Sequence, residues 1–201
     1  MKNITLTLAA MVVLFQSLPA RAEVSWQDGA RVRLLLHGGK QLTESLKIKG
    51  TFIPSGNLVG GLSPLMYLGL NINLPKGWAI APTAGYSFAA DENSPIIAVQ
   101  ISFENDLVMS WSDVEYSMLP HHCLYWFSQL EGKATDWLML GIEGEGWGRI
   151  DNINYRSDGG GLNILFVFKM FEIDLAVHAR TLAGTSDTGF ELVTRVHAFL
   201  F

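Results

Sequence analysis

Leu62-Ser63-Pro64-Leu65-Met66-Tyr67-Leu68-Gly69-Leu70-Asn71-Ile72-Asn73-Leu74 places an apolar or proline residue at nearly every second position. Leu62, Pro64, Met66, Leu68, Leu70, Ile72 and Leu74 share one face, while Ser63, Tyr67, Gly69, Asn71 and Asn73 fall largely on the other. A period of two is the signature of a β-strand. Pro75-Lys76-Gly77 reads as a turn, and the next strand alternates Trp78, Ile80, Pro82, Ala84, Tyr86 and Phe88 with Ala79, Ala81, Thr83, Gly85 and Ser87. The two form a hairpin.

Further strands read at Pro95 to Glu104, Leu107 to Leu119, Cys123 to Glu131, Thr135 to Trp147, Gly161 to Met170, Phe171 to Leu182 and Thr188 to Phe201. Their lengths suit tilted membrane-crossing strands of about 9–11 residues. The strand from Leu107 is irregular in pattern, because Trp111, Asp113 and Glu115 share a face; a bulge or a protruding strand end accounts for it. Upstream, Ala30 to Leu36 and Leu46 to Phe52 both alternate, but strand parity admits only one as a full span. The expectation is about ten strands, or eight if two segments are peripheral.

Counted back from a periplasmic C-terminus, the connections alternate in character. Pro75 to Gly77, Asn105-Asp106, Gly132 to Ala134 and the Met170-Phe171 junction are short and share a side. Asp91 to Ser94, Pro120 to His122, Gly148 to Gly160 and Ala183 to Asp187 fall opposite, the longest being Gly148 to Gly160. Short turns on one side and longer loops on the other are the barrel arrangement.

The N-terminus has the form of a secretory signal. Lys2 is followed by an uncharged, largely apolar run from Ile4 to Phe15, and Leu18-Pro19-Ala20-Arg21-Ala22 offers small residues for cleavage after Ala22. Residues 1–22 are therefore expected to be removed, leaving 23–201 as one barrel domain. The only cysteine is Cys123, so neither an internal disulfide nor a lipidated cysteine after the cleavage point is expected. Losing Lys2 and Arg21 takes the basic count from 14 to 12 against 19 acidic residues, a formal charge of −7 that argues against nucleic acid as a partner.

The signal, the alternating strands and the terminal Phe201 with Phe199 two residues before it resemble small bacterial outer-membrane β-barrels of eight to ten strands. The resemblance implies an all-β, closed, antiparallel, up-and-down transmembrane barrel in the cell outer membrane, with outer-membrane lipids and the barrel-assembly machinery as partners. One feature departs from it. Phe190, Leu192, Val196, Ala198 and Leu200 carry the apolar phase of the last strand, whereas Phe199 and Phe201 lie in phase with Glu191, Arg195 and His197. An irregularity is expected between Val193 and Phe201.

With apolar faces outward, charges of both signs gather in the lumen. Glu143, Glu145, His178, Arg180, Glu191 and Arg195 form the candidate polar cluster, with Arg31, Arg33, Lys169, Glu172, Asp174 and His197 in the same phase. The bland reading is a mutually paired ionic filling, and the sharper one is a conduit or binding site. A carboxylate beside a histidine also suits general acid–base work, yet no catalytic residue is assigned. His121-His122-Cys123 resembles a soft-metal tripeptide but lacks a second ligand cluster, so no metal or other cofactor is expected. The glycines at 141, 144, 146 and 148 interleave with Glu143 and Glu145, which would repel phosphate.

Trp78, Tyr86, Phe88, Phe103, Phe171 and Phe190 lie near strand ends, as interfacial girdle residues do. The function expected is a structural or narrow-pore barrel with a charged, largely plugged lumen. The alternatives are a lipid-modifying outer-membrane enzyme and a soluble periplasmic barrel or sandwich. No His in the chain is followed two positions later by Ser, the pair that lipid A deacylases of this kind carry.

Overall fold

A strand with one apolar face leaves its backbone edges unpaired unless neighbours cover both, and closing the sheet on itself removes every edge. The computed structural model, which describes residues 28–54, 64–88, 93–119, 121–152, 154–181 and 187–200, has this form. The expected signal segment 1–22 and Phe201 lie outside the described residues. The strands are β1 (Asp28–Thr43), β2 (Leu46–Ile53), β3 (Leu65–Asn73), β4 (Trp78–Phe88), β5 (Asn93–Glu104), β6 (Val108–Ser117), β7 (Cys123–Lys133), β8 (Leu138–Arg149), β9 (Arg156–Val167), β10 (Phe171–Thr181) and β11 (Thr188–Leu200). Each pairs antiparallel with the next, and β1 returns to β11 to close the barrel.

That closure is parallel, running in step from Asp28↔Phe190 to Gly38↔Leu200. It corrects the expectation that only one of the two N-terminal segments spans, and it excludes eight strands. Parity forbids an odd count only if both chain ends lie at the same end of the barrel. Here β1 begins beside Phe190, opposite the C-terminal end of β11, so β1 and β2 are both accommodated and the described residues form eleven strands. Strand β1 reaches this far because its first part pairs with β11 and its second part, from Leu36 to Thr43, pairs with β2.

Connections at 44–45, 74–77, 105–107, 134–137 and 168–170 share one end with the C-terminal end of β11. This is the short-turn end. Pro75–Gly77 forms a short 3-10 turn there, where Lys76 (φ 64°) and Gly77 (φ 83°) both take left-handed backbone. A Cβ on Gly77 would strike the carbonyl of Glu104, so glycine suits the position on two counts.

Three further expectations change. Connection Gly148 to Gly160 shrinks to 150–155, because Gly159, Gly160 and Gly161 are paired inside β9. Their lack of side chains lets neighbours approach: a Cβ on Gly159 would lie 3.1–3.2 Å from the Arg180 side chain. Strand β6 is in unbroken register with β5 and β7, so Trp111, Asp113 and Glu115 mark a regular inward face rather than a bulge. No register shift interrupts β11 against β1 or β10 either. Phe199 simply points inward, stacked on His37 at 5.4 Å.

The outward face is apolar and bare. Leu68 is 64% exposed, Ile142 58% and Leu162 73%, whereas the inward Glu131, Glu145 and His178 are 0% exposed. Trp78, Tyr86, Phe88 and Phe190 stand exposed near strand ends. Phe103 and Phe171 are half-buried against Trp78 (4.9 Å) and Phe168 (4.6 Å). Inside, the small residues of β4 make room for an aromatic ring, as Tyr67 lies over Gly85.

Candidate functional site

Period two sends Glu143 and Glu145 of β8, Asp174, His178 and Arg180 of β10, and Glu191 and Arg195 of β11 to the same side of the sheet. Register then decides which meet. His178 pairs across from Glu191 and Arg195 from Asp174, while β8 reaches them over the side-chain-free Gly159 and Gly161 of β9. All six candidate residues come together.

Arg195 is the hub. Its Nη1 donates to Glu143 Oε1 (2.7 Å) and Oε2 (2.9 Å) and to Asp174 Oδ2 (2.8 Å), and its Nη2 reaches Glu145 Oε2 at 3.3 Å. His178 Nε2 lies 2.6 Å from Glu143 Oε1. Arg180 Nε donates to Glu191 Oε2 (2.8 Å) and its Nη1 to Ser157 Oγ (3.2 Å). Arg31 of β1 bonds Glu191 at 3.2 Å, and both Arg31 and Arg180 donate to Glu145. A buried arrangement of this kind holds only if nearly every charge is matched.

Sequence reasoning placed Arg31 and Asp174 in the lumen but left them out of the cluster. It missed Tyr125, whose hydroxyl donates to Glu145 Oε2 at 3.1 Å, and Phe127, over whose ring Arg195 lies at 4.7 Å. Asn163 and Glu131, joined at 2.6 Å, extend the network below. The inward phase of β7 and β9 was the available signal, but phase does not reveal which neighbours touch.

Ligand atoms of Glu145, His178 and Glu191 lie within 4.8 Å of one another, a spacing that suits a cation. The guanidinium groups of Arg31 and Arg180 sit on those carboxylates and supply the positive charge themselves. A resident metal does not fit. His121 and His122 also part company: His121 meets Arg149 (2.7 Å), while His122, at φ 50°, stacks on Tyr116. In the β8–β9 connection, exposed Asp151 is held below the ordinary carboxylate value by hydrogen bonds from Arg149.

Beside the network, on the β1–β7 side, lies a cavity of about 490 Å³. It extends from Glu104, Met109 and Glu172 at the short-turn end to Ile53 and Leu65 at the other. There Leu35, Ile53, Tyr67 and Ile96 pack together with Leu65 against them. Two bonded chains cross its wall. Lys49 donates to Gln100, whose Nε2 donates to Asp113 Oδ2 at 3.1 Å. Thr51 meets His37 at 3.0 Å, and His37 meets His197 at 3.0 Å.

The chain matches no protein-family model and no curated protein.

Proposed function

We propose that this chain is an integral outer-membrane β-barrel with a structural rather than freely conducting role, its lumen filled on one side by the ionic network. The observation that carries the reading is the inversion of polarity. Leu68, Ile142 and Leu162 face out and bare, while Arg195, Glu145 and His178 are enclosed. Water outside would penalise such a surface, whereas lipid favours it. The reading includes a cleaved signal over residues 1–22, assembly by the barrel-assembly machinery, and the short-turn end in the periplasm.

Exposed rings of Trp78, Phe88 and Phe190 near the strand ends fit the two lipid boundaries. A lipid-modifying enzyme fits less well. His178, the histidine of the expected polar cluster, is enclosed with Glu143, Arg195 and Asp174, where the carboxylates are already held by charged partners.

Fractionation tests location: the protein is expected in the outer-membrane fraction, running at a heat-dependent position on a gel. Recovery in the soluble periplasm without that mobility shift overturns the reading. Reconstitution in planar bilayers tests the lumen. Absent or rare, small conductance steps are expected, and sustained porin-like currents would reject the closed-lumen role.

A further inference from the structure

Strand β6 puts Asp113 and Glu115 on one inward face at a spacing of two, so their carboxyl groups are neighbours along the cavity wall. The ionic network around Arg195 is built on other carboxylates, those of Glu143, Glu145 and Asp174. Asp113 and Glu115 instead share a side-chain hydrogen bond with each other. An ionised carboxylate only accepts hydrogen bonds, so two ionised groups have no hydrogen to share.

Their other contacts do not supply one. Tyr67 of β3 donates to Glu115 Oε2 at 3.0 Å, and Gln100 of β5 donates to Asp113 Oδ2 at 3.1 Å. Asp113 is only 4% exposed, and its Oδ1 is enclosed without an N–H or O–H donor. A buried carboxylate oxygen in that state is costly, and a second ionised carboxyl group alongside adds like-charge repulsion where water is excluded. One proton on Glu115 removes the repulsion and provides the missing donor together.

Charges of both signs face the pair. Arg33 from β1, Lys49 from β2 and Arg195 from β11 line the same cavity, with Glu172 and Asp174 from β10 and Glu104 from β5 toward the short-turn end. Its other titratable groups are Tyr125 from β7, His37 from β1 and His197 from β11. Arg195 is committed to Glu143 and Asp174, and Lys49 donates to Gln100, which serves Asp113 only at Oδ2. The fields of Lys49 on Asp113 and of Arg33 on Glu115 favour one negative charge on the pair, which a single shared proton leaves in place.

We propose that Asp113 and Glu115 form a proton-binding site in the lumen, one proton being held between the two carboxyl groups at neutral pH. Tyr67 occupies Glu115 Oε2, so the proton sits on the other oxygen and is donated to Asp113 Oδ1. The proton belongs to the pair rather than to either residue. Tyr67 packs with Leu35, Ile53 and Ile96, so the pair also ties β6 to that apolar cluster on the far side of β4 and β5. Loss of the proton to solvent leaves two like charges at this tie and loosens it. The folded chain binds this proton and the unfolded chain does not, so stability falls as pH rises from neutral.

The full-length barrel in detergent micelles, where membrane location plays no part, is compared with Glu115→Gln and Asp113→Asn by infrared difference spectroscopy at neutral pH. Both variants are expected to lose a carboxylic-acid carbonyl band present in the native chain, because an amide at either position supplies the donor without a proton. In urea unfolding the native chain is expected to lose stability from neutral to alkaline pH, and Glu115→Gln to flatten that slope. Loss of the band in neither variant means two ionised groups and overturns the proposal. Loss in one variant alone assigns the proton to a single residue and overturns the sharing, and a slope unchanged by Glu115→Gln overturns the tie. If neither variant folds, infrared titration of the native chain decides: an acid band that vanishes reversibly as pH rises supports the proposal, and its absence at neutral pH overturns it.

Discussion

Arg195 and Glu143, 52 residues apart in sequence, meet inside the barrel with one guanidinium nitrogen 2.7 and 2.9 Å from the two oxygens of the carboxylate. The same nitrogen holds Asp174, so one cation ties β11 to β8 and β10 across the intervening β9. Removing it leaves Glu143, Asp174 and Glu145 as crowded, enclosed negative charges. Arg195→Met is therefore expected to lower unfolding free energy by about 3–5 kcal/mol. Urea unfolding in micelles measures this, and a loss below about 1 kcal/mol would mean that His178, Arg31 and Arg180 suffice.

Closure through a parallel β1–β11 pair places Leu34 opposite Val196. With Cys123→Ser in the background, Leu34→Cys and Val196→Cys are expected to form an intramolecular disulfide on mild oxidation. A faster-migrating band on non-reducing gels reports it. An even-stranded barrel that leaves one N-terminal segment outside the sheet would keep the two apart, and no such band would form.

Two glycines of β9 separate two kinds of close approach. Opposite Gly159 the obstacle is the flexible Arg180 side chain, but opposite Gly161 it is the backbone carbonyl of Val177. Gly161→Ala should cost more than Gly159→Ala, at about 1–3 kcal/mol against a smaller loss, because a strand cannot step aside while its ladder is intact. Paired urea midpoints test the order. The reverse ranking would show that the Arg180 position is the tighter constraint.

Leu162, 73% exposed at mid-strand, distinguishes lipid from water as the surroundings. Leu162→Arg is expected to destabilise the barrel by about 2–4 kcal/mol in phospholipid bilayers. In an aqueous setting an exposed Leu→Arg change falls within about 0.5 kcal/mol. A near-zero effect in bilayers would place this face away from the hydrocarbon.

Much of the lumen was legible before any contact was known. Glu143, Glu145, His178, Arg180, Glu191 and Arg195 share a phase in their strands, and strand phase alone sends them inward. The contribution of Arg31 was harder to read, because its neighbours Glu145 and Glu191 lie far along the chain. Trp111, Asp113 and Glu115 looked like a defect in alternation. They are instead a polar and aromatic stretch of regular strand, placed opposite other lumenal groups that the local pattern does not contain.

Alternation by itself determined that this protein is a chain of β-strands with an apolar and a polar face, because side-chain direction in a strand is a property of two adjacent residues. It also determined which side of each strand Phe199 and Arg195 occupy, once the phase is followed without assuming a bulge. Strand number, the parallel β1–β11 seam and the meeting of Arg195 with Glu143 were decided only by tertiary structure. These depend on register and closure, which relate residues far apart in sequence and are set by the best simultaneous pairing of all eleven strands.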